Sequence, residues 1–251
     1  ADIGSRIAHV MRMVDGQLVG KRDLPKQEWL LTAGRSIAEV GFQMSRESKL
    51  MSIRVSDLFS GEERYHQEFP VASRVSVMEP NAIAIYEPTG KFVVLDVRTG
   101  AVTMEHDLDP LADVDSICTL KSADKLFLMI SRQNDQQHKP LGQPPDFPMV
   151  DGFVYAFDLA TGKLSWPAPA VVRNRGVVLS QPREIPLLVF ADRKMVRDPA
   201  TGGGSQLRVL CIDQRTGQTV FRNDKLPDTS IVNFRVRGEP GGERTDGSGD
   251  E

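Results

Sequence analysis

The clearest run of alternating apolar and polar residues is Asp151-Gly-Phe-Val-Tyr-Ala-Phe-Asp-Leu-Ala-Thr-Gly-Lys-Leu-Ser-Trp166. It opens on a turn dipeptide, passes through a strand, turns between Asp158 and Gly162 and enters a second strand, the signature of a β-hairpin. The Thr-Gly step suits the turn because glycine takes a positive φ at no steric cost. The pattern recurs in Phe92-Val-Val-Leu-Asp-Val-Arg-Thr-Gly100 and Arg208-Val-Leu-Cys-Ile-Asp-Gln-Arg-Thr-Gly217. Ile53-Arg-Val-Ser-Asp-Leu-Phe-Ser-Gly61 is a copy with Ser for Thr, and Met11-Arg-Met-Val-Asp-Gly16 is a shortened one. The turn glycines Gly16, Gly61, Gly100, Gly162 and Gly217 are separated by 45, 39, 62 and 55 residues. Four-stranded propeller blades repeat every 40 to 50 residues or so. The two longer gaps require insertions.

A second regularity accompanies the first. Four residues after each glycine stands a large side chain, Tyr65, Met104, Trp166 or Phe221; only Gly16 is followed by a small residue, Gly20. Six residues before each glycine stands a smaller apolar one: Val10, Val55, Val94, Ala156 and Cys211. The expectation is that the large residue of one blade packs against the small one of its neighbour, a repeated docking contact.

The segment Ala156-Phe-Asp-Leu-Ala-Thr-Gly-Lys-Leu-Ser-Trp166 resembles the tryptophan-docking motif of quinoprotein (PQQ-like) propellers, A-x-D-x-x-T-G-x-x-x-W. One copy matches in full and three in part, from about His9 to Asp224. The resemblance implies an all-β fold, a β-propeller of four-stranded antiparallel blades. The expected blades are a partial one from Arg6 to Leu24, then 28–69, 71–108, 114–166 and 175–222. Ala82–Tyr86 and Phe92–Leu95 are expected as middle strands, and Lys125–Ile130 and Leu187–Ala191 as inner ones. A strand over Ile231–Arg237 would complete the partial blade. Propeller sequence thus covers 1–237, and the Gly-rich, charged stretch 238–251 reads as a disordered tail. Two counts stay open: a ring of about five blades closing alone, or the C-terminal part of the seven- or eight-bladed ring usual in this family, completed by missing sequence or another chain. An open arc would leave unpaired strand edges needing a cover. The start without Met, inside a repeat, suggests a processed or truncated beginning.

Composition changes this picture little. Of 251 residues, 40% are hydrophobic and 26% charged, which suits a globular domain. A formal net charge of −3 with no basic stripe offers nothing to a phosphate backbone, so no nucleic-acid partner is expected. No stretch is long and apolar enough to cross a bilayer, and no signal peptide is visible at Ala1. Cys118 and Cys211 each sit among apolar residues and read as small hydrophobes in strands. There is no Cys-x-x-Cys.

Candidate chemistry is sparse. The acidic stretch Glu105-His-Asp-Leu-Asp-Pro-Leu-Ala-Asp-Val-Asp115 lacks EF-hand spacing and reads as a solvated inter-blade connection. His9, His66, His106 and His138 form no ligand pair. Gly202-Gly-Gly-Ser205 lacks a phosphate loop's lysine and reads as a loop between strands. Trp29 and Trp166 read as strand or docking residues. The adjacent cysteines, stacking tryptophan and calcium-binding carboxylates that the family's cofactor site requires are not recognisable, so no catalytic, cofactor-binding or metal residue is assigned and no cofactor is expected. One insertion stands out, Arg132 to Met149, with Pro140, Pro144, Pro145 and Pro148. Proline stiffening lowers the ordering cost of docking, which makes 132–149 a candidate partner-contact loop.

The resemblance therefore implies a non-catalytic scaffold or protein-interaction module, as in the bacterial outer-membrane-assembly lipoprotein propeller, with a periplasmic or cell-surface location. The alternative is a fragment or subunit of a PQQ-dependent oxidoreductase whose cofactor site lies outside this chain.

Overall fold

The computed structural model describes residues 6–12, 14–24, 29–33, 36–44, 49–57, 59–78, 81–111, 113–122, 124–132, 148–179, 181, 185–196 and 204–226. The expected strand over 231–237, the tail 238–251 and the interior of the 132–149 loop lie outside them. The described residues form strands and turns, each sheet a run of consecutive antiparallel strands. The first blade is the hairpin β1 (Arg6–Met11) and β2 (Leu18–Leu24). The second holds β3 (Trp29–Ala33), β4 (Ser36–Met44), β5 (Lys49–Asp57) and β6 (Glu63–Pro70) in that spatial order. The third holds β7 (Arg74–Met78), β8 (Ala82–Tyr86), β9 (Lys91–Asp96) and β10 (Val102–Asp107). The fourth holds β11 (Val114–Ser122), β12 (Lys125–Arg132), β13 (Met149–Asp158) and β14 (Ala170–Gly176). The fifth holds β15 (Leu187–Val196), β16 (Gly204–Asp213) and β17 (Thr219–Leu226). This is a β-propeller fold: among the described residues three sequential four-stranded blades stand between a two-stranded and a three-stranded sheet.

The middle strands read as unbroken apolar runs because each blade is covered on both faces. In the third blade, Ile83, Ile85, Val93 and Leu95 join Val40, Ile53 and Val55 of the second in one core. Their alternate neighbours Ala84, Tyr86, Phe92 and Val94 point the other way, into a core with Leu126, Leu128, Ile130 and Phe157 of the fourth. Phe127, Met129, Val154 and Ala156 leave the fourth blade's other face and meet Leu188, Phe190, Leu210 and Ile212 of the fifth. The period of two along every strand thus divides its side chains between two neighbours. Phe92 and Phe157 stack across one such seam at 5.1 Å between centroids.

The repeated turn is the same at all five sites. The glycine N–H donates to the carbonyl four residues back, from Gly16 to Arg12, Gly61 to Asp57, Gly100 to Asp96, Gly162 to Asp158 and Gly217 to Asp213. Each glycine has φ between 69° and 75°. In the four full copies the Asp side chain accepts backbone N–H bonds from the turn, at Ser60, Thr99, Thr161 and Thr216 among others. The Thr or Ser hydroxyl then accepts an N–H two residues on, at Glu62, Ala101, Lys163 and Gln218. The motif's polar letters are the turn's internal hydrogen bonds.

The docking contact differs from the sequence expectation. The small residue is a cross-strand neighbour of the large one within the same blade: Val55 pairs with Tyr65, Val94 with Met104 and Cys211 with Phe221. What the large residue meets on the next blade is the turn glycine. A Cβ built on Gly100 would lie 2.8 Å from the Tyr65 ring, and one on Gly217 2.7 Å from the Trp166 ring. Met104 approaches Gly162 in the same way, at 3.5 Å. The Tyr65 hydroxyl donates to the Val97 carbonyl at 3.0 Å and Trp166 Nε1 to the Gln214 carbonyl at 3.0 Å, the same carbonyl relative to the glycine in both joints.

Two blade boundaries also move. The fourth blade extends beyond Trp166, because Ala170–Gly176 pairs with β13 as its fourth strand. Lys125–Ile130 lies in the second strand of that blade and β11 takes its edge; β11 packs beside β7 of the third blade, with Ser76 and Thr119 hydroxyls 3.0 Å apart. Leu187–Ala191 is likewise preceded in its sheet by the single bridge Val177 to Phe190. Gly204 and Ser205 are strand residues opposite Val196 and Met195, not loop.

The joints make a testable contrast. Gly16→Ala should cost about 1 to 2 kcal/mol, from the left-handed backbone alone, since nothing lies within 4 Å of its Cβ position. Gly217→Ala carries the same backbone cost and must also displace Trp166, a further 1 to 3 kcal/mol or so. Urea unfolding of the two variants should show Gly217→Ala clearly the weaker; equal losses would mean the docked ring contributes nothing.

Candidate functional site

The 132–149 insertion leaves the fourth blade between β12 and β13, as the sequence suggests. Its two ends are fixed from several directions. The Arg132 guanidinium grips Asp113 with two bonds, Nε to Oδ1 at 2.9 Å and Nη2 to Oδ2 at 2.6 Å. That pairing holds the Asp113 carboxyl below the usual carboxylate range. The Ser131 hydroxyl donates to the Met149 carbonyl at 2.8 Å and accepts from the Asp151 N–H at 3.3 Å. The buried Asp151 side chain in turn accepts from the Asn174 N–H at 3.2 Å. Gly152 sits where a Cβ would come 2.2 Å from the Ile130 carbonyl oxygen, so the two stems approach more closely than any side chain permits.

Of the acidic stretch 105–115, expected to be an inter-blade connection, residues 105–107 end β10 and 114–115 open β11, so only the segment between them joins the third and fourth blades. The carboxylates of the stretch are dispersed: Glu105 pairs with Lys91 at 2.9 Å, and Asp113 with Arg132. Backbone carbonyls do the rest, Asp109 accepting from Tyr86 Oη at 2.9 Å and Asp115 from Arg74 Nε at 2.8 Å. Burial pushes the Tyr86 phenol up to about 12. A shallow groove of about 170 Å³ runs beside this connection, lined by Asp107, Asp109, Tyr155, Trp166 and Pro167 among others.

The other candidate residues stay apart. His9 and His66 lie exposed on β1 and β6. The His106 ring meets the edge of Phe157 at 5.7 Å, and His138 lies outside the described residues. Among the described residues no group of three His, Cys, Asp or Glu side chains is placed to hold a metal. Cys118 and Cys211 are free, half-buried strand residues on β11 and β16. Burial raises the Cys118 thiol to about 11 and raises Cys211 too, which suits small apolar residues. Trp166 is a docking residue; Trp29 opens β3. No helix among the described residues is long and apolar enough to cross a membrane.

One polar cluster was not anticipated. Asp192, wholly buried, pairs with Arg208 directly opposite it across β15 and β16. Arg175, at the end of β14, pairs with Asp224 of β17, and both Arg175 and Arg208 donate to the Asn174 carbonyl at 3.1 Å. Asn174 itself has φ 48°. Burial pushes the Asp192 carboxyl up against the pull of Arg208. The cluster locks the last strand of the fourth blade to the fifth. An Asp closing the apolar run Leu187–Ala191 was the available signal, but Asp192 and Arg208 lie 16 residues apart in the chain and Arg175 and Asp224 lie 49 apart.

The fifth blade's far face is where the repeat changes. Val189, Ala191 and Leu207 stay buried there in a cluster with Val178. Toward the outer rim, Phe221 is 46% exposed and Val220 55%, whereas the equivalent Trp166 and Met104 are 3% and 8% exposed.

Strand order and docking joints define the class, a β-propeller. No protein-family model and no curated protein matches the chain. Among solved structures, the WD40 domain of Neurospora crassa Pan2 is similar over 90% of this chain and 61% of that one, at 14% identity and a TM-score of 0.46. BamB from Moraxella catarrhalis is similar over 88% of this chain and 78% of that one, at 16% identity and 0.33. The computationally designed Ika8 protein is similar over 88% and 70%, at 11% identity and 0.44. With these TM-scores below 0.5, the assignment rests on the topology described above.

The turn carboxylates carry a pH dependence. Hydrogen bonds from the Thr161 hydroxyl and N–H hold Asp158 below its ordinary 3.8, and backbone bonds from Thr216 and Arg215 do the same for Asp213. At Asp96 burial pushes upward, but the bonds from Thr99 and Arg98 outweigh it. A depressed folded-state value gives stability that is present above 3.8 and lost as pH falls through the lower folded value. Unfolding midpoints should therefore drop below about pH 4. Asp158→Asn should flatten that drop; an unchanged acid limb would remove Asp158 from it.

Proposed function

We propose that this chain is a non-catalytic β-propeller scaffold that holds a protein partner through the 132–149 segment. The observation that carries this reading is the clamped base of that segment, where Arg132–Asp113 and Ser131–Met149 bonds fix both stems on a rigid blade. A loop on fixed stems presents its contacts at a defined place, and proline-rich sequence limits the entropy lost on docking. The tryptophan-docking motif, through the resemblance it carries, supports a periplasmic or cell-surface location.

Replacing 134–146 with a short Gly-Ser linker should leave the circular dichroism spectrum and unfolding midpoint unchanged. Cross-linking in the cells of origin should then lose a discrete adduct that the intact chain gives. An adduct pattern indifferent to the deletion would remove the loop from the reading. An added mass matching a quinone, in native mass spectrometry of protein from its source, would overturn the non-catalytic part.

A further inference from the structure

We propose that the groove between the third and fourth blades takes an arginine side chain of a partner polypeptide, held among Asp107, Asp109 and the Tyr155 hydroxyl. This deepens the scaffold reading by naming a second contact and its chemistry, and it stands on residues other than the 132–149 segment. The groove holds about 170 Å³. Pockets for drug-sized ligands run from about 300 to 1,000 Å³, so this one suits a single side chain. Its charged lining is acidic alone: Asp107 and Asp109 are both exposed, and no Lys, Arg or His lines it. Among the described residues neither carboxylate has an ion pair or a hydrogen bond. Lys91, the cation opposite Asp107 across the hairpin, is taken by Glu105 at 2.9 Å.

Tyr155 is the independent pointer to a ligand. Its side chain lines the groove and is only 6% exposed, yet its hydroxyl makes no hydrogen bond to any described residue. The chain's other two tyrosines spend theirs on backbone carbonyls, Tyr65 on Val97 at 3.0 Å and Tyr86 on Asp109 at 2.9 Å. A buried hydroxyl left without a partner costs stability until something supplies one. Burial raises the Tyr155 phenol and the Asp109 carboxylate raises it further, so the hydroxyl stays protonated within the field of a groove carboxylate. The remaining wall is apolar and stiff, built from Trp166, Pro167 and Pro169. A hard metal ion fits this lining poorly, since it wants six or more oxygens and no three acidic or His side chains converge among the described residues. An ammonium is compact and strongly hydrated. A guanidinium is planar, sheds water more easily and donates in a fork to carboxylates, while its stem covers apolar walls.

The test is an NMR titration of the full chain with the capped tripeptide Gly-Arg-Gly. Amide and indole shifts should move saturably around Asp107, Asp109, Tyr155 and Trp166. The citrulline tripeptide, alike in shape without the charge, should bind about 10-fold more weakly, and the lysine tripeptide about 3-fold. Ethylguanidinium, the same head without a peptide, should be about 5-fold weaker through its lost stem contacts. Asp107→Asn with Asp109→Asn should cost about 10-fold in affinity and Tyr155→Phe about 5-fold. Tyr155→Phe should keep the unfolding midpoint, because that hydroxyl holds nothing in the fold, whereas Tyr86→Phe should lower it. No saturable response at the groove would overturn the proposal, as would equal binding of the citrulline or lysine tripeptide. Equal affinity for ethylguanidinium would remove the polypeptide source. A Tyr155→Phe variant that binds unchanged, or that loses stability as Tyr86→Phe does, would also overturn it. Replacing 134–146 should leave this titration unchanged, so failure of the loop reading and failure of this one are distinguishable.

Discussion

Trp166 lies against Gly217 so closely that a Cβ there would come 2.7 Å from the ring, while its indole N–H reaches the Gln214 carbonyl three residues earlier. That one contact ties three requirements together. The glycine must be a glycine twice over, for its positive φ and for the face it offers the ring. The turn must be held open in one shape, which the Asp and Thr side chains do from within. The carbonyl must point outward to meet the indole. Tyr65 on Gly100 repeats the arrangement with a hydroxyl in place of the indole N–H. Because each joint links only neighbours, stability accumulates blade by blade, and the alternating strand faces supply the bulk of the buried apolar surface between them.

Much of this is legible in the chain. Asp-x-x-Thr/Ser-Gly marks four of the five turns because its side chains act within five residues, where sequence spacing and spatial distance are the same thing. Ala82–Tyr86 and Phe92–Leu95 announce themselves as middle strands because both faces are covered. The joint itself was only half legible. The pairing of large and small residues is real, but strand register makes Val94 a neighbour of Met104 within one hairpin, and the residue opposite on the next blade is the glycine already assigned to the turn. Nothing in the sequence distinguishes a glycine kept for φ from one kept also for contact. The Asp192–Arg208 and Arg175–Asp224 pairs were illegible for a different reason. Their partners are set by register and by the crossing of β14 to the fifth blade, which periodicity does not encode.

The blade boundary at 166 shows a third kind of failure. Trp166 ends the motif, and a blade read from motifs ends with it. The chain instead passes Pro167 and Pro169, which cannot donate to a ladder, and rejoins β13 at Ala170. The prolines interrupt the last strand without ending it. That interruption matters for the surface, since the groove beside Asp107 and Asp109 is lined by this same Pro-containing step and by Trp166.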